Sequence, residues 1–311
     1  MDLEPDTRVC ELKSLFSAGW NRPWNVYDME SFLQYFPELR NQKYLLVENA
    51  NKWDRNIGIG ASEIASAANV HHAYLSRKAL FQLKKRGNVP DPSTSFILEW
   101  GNTNEPLVRL LVMTLFAPLF EVVFHPSIIV APFHPQFFCS PDDVAILANK
   151  KIRTLIEYKC PYSCVPYAEV PDHHYSQLLS NMKILQCNVA LYCVWVPHEL
   201  RLWCVPFNED AWSCLYSRAR QFLDDYFNAD VVPPRSPTGH KLYQLYPKKS
   251  RRPPLCIPLE STPQQQTVDI ELPITGTQQL EDFFVAHFET VSRWFNSELD
   301  FLYSSEQKQE Q

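Results

Sequence analysis

The segment SPDDVAILANKKIRTLIEYKCP, residues 140–161, concentrates the chemistry-bearing side chains of this 311-residue chain. Asp142 stands at the end of one short strand, and Glu157 and Lys159 sit two residues apart on another. Side chains alternate along a strand, so Glu157 and Lys159 share a face. Antiparallel pairing through a polar turn at Asn149 and Lys150 would set Asp142 beside Glu157. Two carboxylates and a lysine then converge on one point. Such a set suits phosphodiester hydrolysis: hard oxygens hold Mg²⁺ or Mn²⁺, the cation acidifies water, and the ammonium orients the nucleophile or offsets developing negative charge. The peptide carbonyl of Tyr158, between the two side chains, is a further candidate ligand. The competing reading of an isolated E-x-K is a solvated pair on an edge strand.

The flanking pattern supplies the elements that would position these groups. IGIGASEIASAANV, residues 57–70, reads as a glycine loop opening a helix, with Ser62 as candidate N-cap. Helical spacing follows over Tyr74 to Lys85 and over Phe96 to Phe116, the second interrupted at Pro106 and restarting near Glu105. Glu105 also reads as a first-turn acid suited to a helix dipole. Between Glu121 and Tyr158 three strands are expected, then a helix from His173, two strands over residues 188–207 and a helix over residues 210–227. The fold class implied is α/β, a small mixed sheet flanked by helices. Four regions are expected. Residues 1–53 form a lead-in rich in aromatics (Trp20, Trp24, Tyr27, Phe32, Tyr35, Phe36) that packs on the body, and residues 54–230 form the core. Residues 231–276 form a proline-rich linker with the basic run Lys248, Lys249, Arg251 and Arg252, and residues 277–311 an amphipathic helix that docks through side chains such as Phe284 and Val291.

Bulk composition narrows the class. With 45% hydrophobic and 21% charged residues the chain is globular rather than disordered throughout. A net charge of −6 excludes a surface that coats nucleic acid wholesale and leaves room only for a local basic groove. Nine cysteines at irregular spacing, with only Cys160 and Cys164 close, read as reduced thiols and not as a zinc or iron-sulfur set. The pairs His71–His72 and His173–His174 lack the i, i+4 repeat of a helical two-histidine site and read as structural, at the surface or partly buried. No apolar run of membrane-spanning length occurs, and Met1 to Cys10 carries acids and a proline where a secretion leader would be basic and apolar. The expectation is an intracellular protein without membrane contact.

Pro141-Asp142 followed by Glu157-Tyr158-Lys159 resembles the PD-(D/E)XK nuclease motif. Neighbouring runs resemble the lambda exonuclease and YqaJ-type viral recombinase family of that superfamily. GIGASE at Gly58–Glu63 is similar to its G-x-x-A-S-E, GNTNEP at Gly101–Pro106 to its G-x-x-x-E-P, SPDD to its S-P-D-G and EYKCP to its E-x-K-C-P. Tyr175 and Gln177 resemble its Y-x-x-Q with one residue fewer, and Asp143 departs from its glycine. The resemblance spans roughly residues 54–227. It implies a restriction-endonuclease-like core in which Asp142 and Glu157 ligate metal and Glu105 supports a second ion. Lys159 would serve the attacking water, Gln177 would orient substrate or water, and Arg55 and Ser62 would hold the terminal phosphate of DNA. The implied activity is exonucleolytic digestion of duplex DNA from a 5′ end, in recombination, repair or viral genome processing. A single-strand annealing partner, a trimeric ring and a location in the host nucleus or cytoplasm are implied with it. A silent nucleic-acid- or protein-binding member of the fold and an endonuclease of the superfamily are the other readings.

Overall fold

The computed structural model describes residues 14, 29–40, 44–45, 54–86, 92–148, 152–235, 252–259 and 277–306. The helices in chain order are α1 (Met29–Tyr35), α2 (Ile64–Ala67), α3 (Arg77–Arg86), α4 (Pro92–Phe116), α5 (Asp172–Leu185), α6 (Glu209–Phe222) and α7 (Thr277–Glu306). The strands are β1 (Tyr44–Leu45), β2 (Ile59–Gly60), β3 (Phe120–Phe124), β4 (Ile128–Val130), β5 (Phe137–Cys139), β6 (Asp143–Leu147), β7 (Arg153–Lys159), β8 (Val189–Val196), β9 (Glu199–Pro206) and β10 (Leu255–Pro258).

A six-stranded sheet ordered β10-β9-β8-β7-β6-β3 forms the body, and a second sheet of four strands, ordered β1-β4-β5-β2, shares one apolar core with it. In the large sheet only β7 and β8 run parallel. Strand β8 (VALYCVWV) is buried along its whole length, which explains its unbroken apolar run: both of its faces are covered. On one face Leu155, Tyr192 and Val194 meet Leu178, Leu179 and Met182 of α5 and Trp212 and Leu215 of α6. On the other, Ile156, Leu191 and Trp195 meet Leu111 and Leu115 of α4 and Phe284, Val291 and Phe295 of α7. This helix–sheet–helix layering is the α/β fold class expected.

Several expectations change in detail. The stretches taken as three strands make five, and two of them belong to the small sheet. Asp142 does not end a strand; it immediately precedes β6, because Pro141 has no N–H to give a ladder and the chain leaves β5 at Cys139 to enter the large sheet at Asp143. Helix α4 continues through Pro106, which faces solvent, so Glu105 lies in mid-helix and is no first-turn acid. Within the proline-rich stretch β10 pairs with β9, and Arg252 just before it meets Glu298 of α7 at 3.0 Å. From the lead-in, Phe32 and Phe36 pack on Phe124, and Glu38 pairs with Arg153. Trp20, Trp24, Tyr27, the turn at Asn149 and Lys150, and Lys248, Lys249 and Arg251 lie outside the described residues.

Candidate active site

The β6–β7 register sets Asp143 against Ile156, which leaves Asp142, one residue outside β6, opposite Glu157. Asp142 Oδ2 accepts the Tyr158 N–H at 2.7 Å, so its carboxylate is fastened to the backbone of β7. Lys159 Nζ donates to Glu157 Oε1 at 2.6 Å, as expected for side chains two apart on one face. Helix α5 closes over them: Gln177 Nε2 donates to Glu157 Oε1 and Asn181 Nδ2 to Oε2 at 3.1 Å. Asp142, Glu157, Lys159 and Gln177 are therefore brought together. Glu157 is 1% exposed while the Lys159 side chain is 23% exposed, so the cluster opens to solvent on the lysine side.

Glu105 reaches the cluster from α4. Its pKa is pushed up to about 7 by burial and then by the Asp142 charge, and Glu157 is pushed up to about 8 by burial and the same neighbour. Asp142 is likewise raised, burial outweighing Lys159 and the Tyr158 N–H. Burial works against the Lys159 charge, but Glu157 and Asp142 outweigh it and its pKa rises. Three carboxylates thus face one ammonium, and each carboxylate is held above its ordinary range. Among the described residues no three His, Cys, Asp or Glu groups already stand as a metal cage. The donor chemistry nonetheless suits a hard divalent cation: the clustered groups are carboxylates short of positive charge, and beside Glu157 the buried Asn181 Oδ1 lacks a partner among the described residues.

Strand alternation sends Asp143 to the opposite sheet face, and this fully buried carboxylate was missed as a site residue. It accepts from Arg109 Nε at 2.7 Å and Nη2 at 2.9 Å, and from the Tyr158 hydroxyl at 2.7 Å. His125 Nδ1 lies 3.2 Å from it and contacts the Asp142 carbonyl oxygen; the Asp143 hydrogen bond raises the imidazole pKa. Arg109 is one turn beyond Glu105 on α4, so the ion pair ties the Glu105 helix to the strand that carries Asp142. The E-P-x-x-R spacing was the available signal for Arg109, as Q-x-x-x-N was for Asn181. In the Y-x-x-Q comparison it is His174, not Tyr175, that stands three before Gln177. His174 is fully buried, with the Tyr192 hydroxyl 2.6 Å from Nδ1 and the Tyr74 hydroxyl 2.7 Å from Nε2, which is more enclosed than expected of either histidine pair.

Arg55 and Ser62 are both exposed, on the segment that carries Gly58 and Gly60. A side chain at Gly58 would collide with the Gln136 carbonyl oxygen, 2.0 Å from where a Cβ would be, while that oxygen accepts the Ile59 N–H at 2.7 Å. Ser62 does not cap the helix. Glu63 accepts the Gly60 N–H at 2.8 Å in its place and pairs at 2.6 Å with Lys84, whose side chain is 2% exposed. The helix that follows spans only Ile64–Ala67, after one 3₁₀ turn, so its own dipole is small. Among the described residues eight cysteines are unbridged, in keeping with reduced thiols, and no helix is long and apolar enough to cross a membrane.

No curated protein matches this sequence. Two structures of one exonuclease are among the solved structures that resemble the chain. The structure of LHK-Exo in complex with dAMP aligns at 16% identity and TM-score 0.44, covering 58% of this chain and 93% of that one. The alkaline exonuclease LHK-Exo from Laribacter hongkongensis aligns at 16% identity and TM-score 0.43, covering 57% and 90%. The family resemblance read from the motifs is met independently: residues 52–193, which contain Glu105, Asp142, Glu157, Lys159 and Gln177, match the YqaJ-like viral recombinase domain.

Proposed function

We propose that this chain is a divalent-metal-dependent exonuclease that hydrolyses phosphodiester bonds from the ends of duplex DNA. The observation that carries the reading is the meeting of Asp142 and Glu157 across the β6–β7 pair, with Lys159 bonded to Glu157 and Glu105 close enough to act on both charges. Its position inside the matched YqaJ-like domain supports the reading.

Glu105, Asp142, Glu157 and the Tyr158 carbonyl would hold Mg²⁺ or Mn²⁺, with Glu105 serving a second ion. When bound, the cation supplies Lewis acidity toward water and offsets phosphate charge. Lys159 keeps its proton at working pH, since its pKa is raised. It therefore acts as a fixed positive charge toward the phosphate and the attacking water and not as a proton acceptor. Gln177 and Asn181 hold both Glu157 oxygens and so fix which lone pairs face the opening. Arg109 and Asp143 set the spacing between Glu105 and Asp142 from beneath.

Digestion from a 5′ end, with Arg55 and Ser62 reading the terminal phosphate, completes the proposal, together with a role in recombination, repair or viral genome processing beside a single-strand annealing protein. Pure protein incubated with end-labelled linear and closed circular duplexes, with and without Mg²⁺, tests it. Linear DNA should shorten only with Mg²⁺ while circles persist. Cleavage of circles would make the protein an endonuclease, and inertness toward both would leave a binding member of the fold.

A further inference from the structure

Tyr74 lies on the turn between α2 and α3, 67% exposed, yet its hydroxyl is fixed 2.7 Å from His174 Nε2. A flexible surface tyrosine would not be so anchored. His173 packs edge-on against the same ring, centroids 4.5 Å apart, so the ring is held from below and from one side. The anchor is itself rigid: His174 is 1% exposed, and its other nitrogen meets the hydroxyl of buried Tyr192 at 2.6 Å. Burial, the Lys159 charge and His173 together keep the His174 imidazole neutral. A neutral imidazole donates through one nitrogen and accepts through the other, so both tyrosine hydroxyls are satisfied at once.

This chain of contacts ends in the carboxylate cluster by two routes. Tyr192 on β8 is the register partner of Glu157 on β7. His174 is one helical turn before Gln177, which donates to Glu157. The exposed ring is therefore indexed to Glu157 through buried side chains, and Lys159 is near enough for its charge to act on the Tyr74 hydroxyl.

We propose that Tyr74 is a stacking residue for a nucleobase of the DNA strand engaged at the Glu157–Lys159 cluster, with His173 and His174 as the residues that position its ring. Aromatic–base stacking is tolerant of sequence, because every base presents a π face, and it suits a site that must accept each nucleotide in turn. The proposal rests on the reading of that cluster as a DNA-cleaving site.

The test measures Ca²⁺-supported binding of duplexes carrying 2-aminopurine or an abasic residue at successive positions from the end, in wild type, Tyr74→Ala and Tyr74→Phe, beside Mg²⁺-supported cleavage. Stacking predicts quenched 2-aminopurine fluorescence at one position in wild type and Tyr74→Phe, lost in Tyr74→Ala. It also predicts at least about fivefold weaker binding by Tyr74→Ala, the low end of a stacking contribution. That difference should vanish on the duplex whose matching base is removed. Equal quenching and affinity in all three proteins, with cleavage intact, overturns the stacking role and leaves the nuclease reading standing. A wild type that neither binds nor cleaves DNA overturns both.

Discussion

Replacing Asp143 by Asn removes one charge from a carboxylate that is completely buried and accepts hydrogen bonds from Arg109 and the Tyr158 hydroxyl. The variant amide can still accept from one of them, but it presents an N–H pair where the other donor now points. Removing one partner of a buried ion pair costs roughly 3–5 kcal/mol, most of it the penalty of the charge left behind. Here the stranded group is Arg109, whose side chain is 24% exposed and regains some water, so the lower end applies, about 3 kcal/mol. For a chain of this size that lowers the unfolding temperature by about 5 °C. Activity should fall further than stability alone explains, because the pair fixes the distance between the Glu105 helix and Asp142. Differential scanning calorimetry and initial rates well below the melting point separate the two effects. The double variant Asp143→Asn, Arg109→Met should recover part of the stability by removing the stranded charge while staying slow. A single variant that melts within 1 °C of wild type and cleaves at the wild-type rate would refute the tethering argument.

Glu157→Gln should abolish hydrolysis yet leave the metal-free melting temperature unchanged or higher, since burial and Asp142 both oppose that charge; full activity at saturating Mg²⁺ rules the residue out as an essential ligand. The pH dependence has a definite sign. His173 is lowered to about 4, by burial first and then by Lys159, and His174 lies well below its ordinary value, so the stability they contribute is complete above pH 6.5 and is lost as pH falls below it. Glu105 and Glu157, lifted to about 7 and about 8, act the other way, and their cost grows as pH rises from 4.5 to 8. Below pH 6.5 the two sets offset each other, and from 6.5 to 8 metal-free stability should decline by up to about 1.4 kcal/mol per pH unit for each proton released. Urea titrations at several pH values read this, and a stability that climbs from 6.5 to 8 contradicts it. Phe295→Ala on α7, fully buried and edge-on to Phe116 at 5.2 Å, should cost about 3–5 kcal/mol in the same titrations; a loss below about 1 kcal/mol would mean that α7 is no part of the core. Arg55→Ala should narrow the preference for 5′-phosphorylated over 5′-hydroxyl ends in steady-state rates, and an unchanged ratio removes Arg55 as the end sensor.

What was legible in the sequence and what was not follows from the range of the interactions involved. Glu157 and Lys159 were placed on one face because the period of a strand is fixed by backbone geometry, and Asp142 beside Glu157 because a short polar turn leaves antiparallel pairing as the simplest closure. The same rule, applied one residue further, sends Asp143 to the far side of the sheet from Asp142. What it could not supply was the partner there: Arg109 is 34 residues away in sequence, and nothing local says that α4 brings it to Asp143. The depth of His174 was hidden for a related reason. Adjacent residues on a helix diverge, which speaks against a two-histidine ligand set, but the enclosure of His174 depends on Tyr74, a hundred residues earlier, and on Tyr192 on the next strand. Ser62 as a cap and the alternative of Glu105 as a first-turn acid both depend on helix boundaries that residue type does not mark. Both positions change meaning when a helix shortens to Ile64–Ala67 or lengthens back to Pro92, because a cap is defined by where the ladder of hydrogen bonds starts and not by residue type alone. Positions whose neighbours are set by period were therefore readable, and positions whose neighbours are set by packing were not. The second kind, Asp143 and His174 above all, is what turns a common E-x-K pair into an organised site.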